Sequence, residues 1–259
     1  MGPRRLNVVL EHFNFEMQPL LDAFSDKKLT LDELNKAYAE NGTEGHDIMA
    51  YSSLLQHAQT HAEVVKLHAG FIPRTYARMI MREGVEKGLT EAKAAGFIDA
   101  AELCQGSPEH YNFFESMISG RDMHDPALEP GTQFAKMFPA QVIKDCSMAH
   151  KVRQLLEEDP DSEDRYLIIT GTGHMGYGFG VPERILHEKD LNDQIYMVFA
   201  KETDHKISLD KEEPADYSPV LQSLFGKSQS VADTCYVFEE WEYDEEVQPK
   251  MEMEAEAKA

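Results

Sequence analysis

His174 and Tyr177 lie in a stretch where Gly171, Gly173, Gly176, Gly178 and Gly180 alternate with Thr172, His174, Met175, Tyr177 and Phe179. Glycines let the backbone take positive φ and let a ligand approach the main chain closely. An imidazole and a phenol on one such loop are two side chains that can ligate iron or another transition metal. The spacing Gly171-x-Gly173-x-x-Gly176 also meets the dinucleotide pattern. That pattern needs a long helix directly behind it, whereas further glycines and Pro182 follow here, and it stands after a late strand rather than the first. Nicotinamide and flavin binding are therefore set aside.

The loop must be positioned by the elements around it. The apolar and β-branched runs 6–10, 64–70, 166–170, 195–200 and 232–238 read as strands. Helical spacing covers 17–24, 47–61, 74–83, 90–101 and 133–158, the last with Pro139 inside it. Thr30-Leu31-Asp32-Glu33 is a capping box that starts a helix running to about Glu40. Ser107-Pro108 starts another that reaches about Ile118, and a short helix spans 182–187. Strands separated by helices predict an α/β fold: a mostly parallel sheet flanked by helices, with extra helical insertions in the first two gaps. Residues 1–238 read as one such domain and 239–259 as an acidic, disordered C-terminal tail.

In a parallel α/β sheet, ligands bind beyond the carboxyl ends of the strands. The first strand ends in Glu11-His12, the second runs into Pro73-Arg74, and the third into Gly171-Thr172-Gly173-His174. On the long helix, Gln141, Asp145, Met148, Ala149 and Val152 share a face by their spacing, which aims Asp145 at the sheet edge. Each polar residue has an ordinary alternative. Glu11 could cap a neighbouring helix, Arg74 could be a salt-bridge partner, and Asp145 could be a buried acid paired with Arg74. His12 reads as a strand-end residue of no special role, and His57, His61, His68 and His150 as surface or core residues.

The formal net charge of -22 argues against nucleic-acid or anionic-membrane binding, because phosphates are held by clustered Lys and Arg. No apolar run approaches the roughly 20 residues that cross a bilayer. The first residues carry no signal-peptide apolar stretch, so a soluble, cytoplasmic or organellar protein is expected. The 3 cysteines, Cys104, Cys146 and Cys235, have neither disulfide nor zinc spacing and read as reduced thiols.

The segment from Gly171 through His174 and Gly180 to Val181-Pro182-Glu183-Arg184 resembles the Gly-x-Gly-His…Gly-Val-Pro motif of the ChaN-like haem-binding uptake domain. That domain belongs to the superfamily of Tiki and TraB proteins and erythromycin esterases. Leu10-Glu11 through Gln18 to Asp22 resembles its Glu-Met-Phe…Gln-x-x-Leu-Asp segment. Phe71-Ile72-Pro73-Arg74 resembles its Pro-Arg turn, and Ala140-Gln141 through Asp145 to Met148-Ala149 its long helix. The resemblance covers residues 6–238. Family members begin with an earlier strand carrying a Gly-Glu-x-His motif, for which this chain shows no counterpart.

The resemblance implies a protein that binds haem or a related tetrapyrrole, with a homodimer enclosing paired haems as in bacterial members. The ligand-binding set would be His174, Tyr177, Gly171, Gly173, Arg74 and Gln141. Distant metal-dependent relatives imply a second reading, a hydrolase in which His174, Glu11 and Asp145 hold a divalent ion such as manganese or cobalt. A third is a non-catalytic interaction domain.

Overall fold

A computed structural model describes residues 4–42, 45–99, 104–121, 133–158, 162–186, 195–202 and 234–238. The central element is strand β1 (Leu6–Asn14), flanked in parallel by β2 (Val65–Phe71) and β3 (Arg165–Ile169) in the order β2-β1-β3. A strand with neighbours on both edges and helices on both faces must be apolar on both sides. Successive side chains of β1 duly point opposite ways. Val8 and Leu10 join one core with Leu21, Phe24, Leu34, Tyr38 and Leu55. Val9 joins another with Phe71, Met148, Val152 and Ile185.

The first core is closed by α1 (Gln18–Ser25), α2 (Leu31–Glu40) and α3 (Ser52–Thr60). Thr30 forms the expected capping box, its hydroxyl accepting from Glu33 N while the Glu33 carboxylate accepts from Thr30 N. Gln18 serves the outer edge of β2: its Oε1 accepts from Ala69 N at 2.8 Å and its Nε2 donates to Leu67 O at 3.1 Å. An otherwise open sheet edge is thereby partly satisfied by a side chain.

Helices α4 (Arg74–Glu83), α5 (Val85–Ala94), α6 (Pro108–Ser119) and α7 (Gln133–Glu158) enclose a third core that includes Ile80, Ala92, Phe114, Phe138 and Ile143. The expected ambiguous helix at 90–101 is α5, which starts and ends earlier. Helix α7 runs continuously through Pro139 and lays Asp145, Met148, Ala149 and Val152, all buried, toward the sheet. Ser147 Oγ accepts from Ile72 N at 3.0 Å and fixes the helix to the end of β2. Helix α8 (Val181–Leu186) follows the glycine turn. No described helix is long and apolar enough to cross a membrane.

Three expectations change. Strand β1 extends beyond Leu10 to Asn14, because Glu11, His12 and Asn14 are buried despite their polarity. The late strands are β4 (Val198–Glu202) and β5 (Thr234–Phe238), which pair in parallel with each other as a separate two-stranded sheet. Ile195 and Tyr196 stay outside β4; Ile195 packs on the core around Val9, and Tyr196 is exposed. Third, Cys104 and Cys146 are not free thiols but a disulfide, with Cα atoms 5.5 Å apart. The acidic tail at 239–259 lies outside the described residues, as does most of the loop expected at 120–131.

The disulfide closes a loop across 42 positions of sequence. Cross-linking a loop of that size stabilises a fold by about 4 kcal/mol through the entropy of the unfolded chain. Thiol titration in denaturant should therefore find one reactive group before reduction and 3 after it. Three groups before reduction would disprove the bond.

His68, half-buried on β2, donates from Nε2 to Asn7 Oδ1 at 2.9 Å. Burial, with help from Lys151, lowers its pKa from 6.5 to about 4. Between those values the unfolded chain binds a proton that the folded chain refuses. Stability is then full above pH 6.5 and falls as the pH drops toward 4. The urea midpoint should be lower at pH 5 than at pH 7.5, and His68→Gln should flatten that difference; an unchanged pH slope in the variant would contradict this account.

Candidate functional site

The ends of β1 and β3 meet in a carboxylate clamp. Glu11 Oε2 accepts from Gly171 N at 2.7 Å and from Thr170 Oγ1 at 2.7 Å. Burial by itself would raise the pKa of Glu11; the Gly171 amide, the Thr170 hydroxyl and the nearby charges of His174 and His46 outweigh it and leave the pKa below its ordinary value. The acid is ionised, and its negative charge holds the start of the glycine turn.

Beyond the clamp, the chain makes two short 3-10 turns, 172–174 and 176–178. Tyr177 takes left-handed geometry at φ 57°, an uncommon state for a bulky residue that persists only where surrounding contacts impose it. Its ring packs edge-on to Phe113, with centroids 5.4 Å apart. Gly180 has φ 70°, and a Cβ there would stand 2.4 Å from His174 O, so the return of the chain under His174 needs glycine.

These bends present His174. Its Nδ1 lies 2.5 Å from Asp145 Oδ1, and its ring meets the edge of Phe71 at 4.7 Å. The short contact with a carboxylate makes Nδ1 the donor to Asp145, and Nε2 is the other ring nitrogen. Gln141 donates to Gly173 O at 3.0 Å and lies 2.9 Å from His174 Nδ1. With Nδ1 acting as donor to Asp145, the carbonyl is the partner of the Gln141 amide and the ring contact is packing.

Behind Asp145 stands a buried polar chain. Asp145 Oδ2 faces His110 Nε2 at 3.7 Å, and His110 Nδ1 faces Glu183 Oε1 at 3.3 Å. Neither contact is a well-formed hydrogen bond. Glu183 also accepts from Gly180 N at 3.1 Å and pairs with Arg184, whose Nη1 donates to Gly180 O at 2.7 Å. Burial raises the pKa of Glu183, but His110, Arg184 and the Gly180 amide bring it below the ordinary value. His174, at the head of the chain, keeps 13% of its side-chain surface.

Most of the residues expected at the site are gathered here: Glu11, Gln141, Asp145, Gly171, Gly173, His174 and Tyr177. Asp145 is partnered by His174 rather than Arg74, whose guanidinium turns toward Gly45 at the first turn of α4. Among the described residues, three side chains whose ligand atoms all lie within 4.8 Å of one another are Glu11, His12 and His46, rather than His174, Glu11 and Asp145. His12 is far from an idle strand end. It is 2% exposed, its ring lies 4.0 Å from that of Tyr51 and 4.8 Å from that of His46, and burial with the His46 charge lowers its pKa to about 4. Sequence reading missed His110, His46 and Tyr51, which carry no local pattern; Glu183 and Arg184 stood in the quoted motif without a role.

A parallel sheet flanked by helices, with a histidine-bearing glycine turn at its carboxyl edge, makes this an α/β domain whose candidate site lies beyond the strand ends. The family model described as haem-binding uptake, Tiki superfamily, ChaN, matches residues 1–185, and the chain belongs to that family. A solved structure, "Cofacial heme binding to ChaN of Campylobacter jejuni", aligns with 19% identity and a TM-score of 0.46 over 78% of this chain and 70% of that one. No curated protein matches the sequence.

The clamp makes a direct prediction. Glu11→Gln can keep an oxygen toward Gly171 and Thr170 but loses the charge that strengthens both bonds and sets an amide beside His46, which costs about 2 kcal/mol. A lowered urea midpoint at unchanged slope is the expected result; a midpoint equal to that of the parent protein would remove Glu11 from its assigned role.

Proposed function

We propose that this protein binds haem, or a closely related tetrapyrrole, at the glycine turn, where His174 would hold its iron. The observation that carries this reading is the pair Asp145–His174. A buried carboxylate that holds Nδ1–H orients the ring and raises the basicity of Nε2, the arrangement that supports metal-bound histidines generally. Family membership supports the choice of haem over other metal complexes.

The surroundings suit a flat apolar ligand with an acidic edge. Met117 and Ile118 of α6 are exposed, and Met117 fills the place a side chain at Gly173 would take, so apolar surface lies directly beside the turn. Tyr177 contributes a phenol on the same turn, and Gln141 holds the Gly173 carbonyl. Arg74 is the cation we assign to a propionate. Haem would supply the iron; the chain supplies ligand, orientation and an apolar face. A dimer enclosing paired haems belongs to the same proposal.

The hydrolase reading has less support. Among the described residues the ligand atoms that cluster are those of Glu11, His12 and His46, rather than the set His174, Glu11 and Asp145 that this reading needs for manganese or cobalt.

Titration with haem followed by absorbance should give a Soret shift. His174→Ala should weaken binding at least tenfold, and Asp145→Asn by about 10- to 100-fold, as for other supports of metal-bound histidine. No shift with the parent protein, or an identical titration for His174→Ala, would overturn the proposal.

A further inference from the structure

We infer that Glu11, His12 and His46 form a second site, which binds one divalent transition-metal ion of the zinc class through two imidazoles and one carboxylate oxygen. The site is separate from the iron position proposed at His174, and the inference does not rest on that reading.

Three observations carry it. The first is geometric. One ligand atom from each residue lies within 4.8 Å of the other two, and His46 Nε2 stands 3.7 Å from Glu11 Oε1. Ligands bound to a tetrahedral ion at ~2.1 Å stand roughly 3.4 Å from one another, so the Glu11–His46 pair is near that spacing and His12 closes by up to about 1.4 Å. The second is an orphaned group. His12 is 2% exposed, and its Nε2 is buried with no hydrogen-bond partner. An unpaired buried nitrogen costs free energy that a bound cation or a rotated ring would recover. A ring serving only as packing between Tyr51 and His46 would do better as phenylalanine.

The third is the division of labour on Glu11. Its Oε2 takes both hydrogen bonds from Thr170 and Gly171, while its Oε1 faces His46. The clamp and the metal position therefore use different oxygens of one carboxylate. His46 retains 30% of its side-chain surface, which gives the ion a path in and leaves room for solvent as a fourth ligand. Two nitrogens and one oxygen favour zinc, cobalt or nickel over calcium or magnesium, which take oxygen donors.

The test uses the full chain, stripped with chelator and titrated with zinc against a chromogenic competitor, and in parallel with cobalt followed by visible absorbance. The exposed pair His57 and His61, one helical turn apart with ring centroids 4.5 Å apart, is a competing surface site and supplies the control. One zinc per chain is expected, with the cobalt spectrum of a low-coordinate nitrogen and oxygen site. His46→Ala should weaken zinc at least tenfold and abolish that spectrum, while His57→Ala leaves both unchanged. His12→Gln, confirmed as folded by circular dichroism, should behave like His46→Ala. Absence of stoichiometric zinc, unchanged binding in His46→Ala, or loss in His57→Ala with retention in His46→Ala would each overturn the inference. Haem takes no part in the measurement, so its outcome is independent of the tetrapyrrole proposal.

Discussion

A carboxylate at the end of a central strand has no water to solvate it and must find donors within the protein. Glu11 finds them in the hydroxyl of Thr170 and the amide of Gly171. The bond works in both directions. It satisfies a buried charge, and it fixes where β3 ends and the glycine turn begins. Left unpaired, a buried carboxylate would cost several kcal/mol or take up a proton. The clamp is thus a condition for burying the polar half of β1 at all, and the position of every residue from Gly171 to Gly180 follows from it.

The turn then depends on a second constraint, the partnering of Asp145. This acid is fully buried on α7, and its partner is the histidine that the turn delivers. Tyr177 in left-handed geometry and Gly180 beneath His174 are the local costs of bringing the ring to that place. Phe71, at the end of β2, closes the ring from the other side. The ends of all three strands and the long helix therefore converge on one imidazole. His110 and Glu183 continue from it into the interior, where Glu183 accepts from the Gly180 amide and pairs with Arg184.

Much of this arrangement is legible in the sequence, because it follows from local pattern. The capping box at Thr30, the helix start at Ser107-Pro108, the bounds of α7 and the packing face carrying Asp145 and Met148 all come from spacing along one element. Glu11, Asp145 and His174 are recoverable because parallel sheets place their sites at carboxyl ends. Features that depend on contacts between distant segments are not legible in this way. The polar run from Glu11 to Asn14 looks like the end of a strand until its donors are known. The Cys104–Cys146 bond depends on how the segment before α6 approaches α7, which spacing does not encode. His46 lies in a loop, and only the fold brings it beside His12.

The two oxygens of Glu11 explain why the two proposed sites can be separated experimentally although they share a residue. Changing Glu11 alters the clamp, the turn and the His46 face at once, so a lost function in that variant has three physical causes. His46 touches Glu11 only through Oε1 and is partly exposed, so its removal leaves the Oε2 bonds to Thr170 and Gly171 in place. His174 stands on the far side of those bonds and is held by Asp145, so its removal leaves β1 intact. A substitution that leaves those hydrogen bonds in place is simpler to interpret than one that removes them, even though His46 and His174 both act on the Glu11 charge. The effects of His46→Ala and His174→Ala should therefore be interpretable singly in a way that no Glu11 variant is, because the carboxylate belongs first to the fold and only through its free oxygen to a ligand.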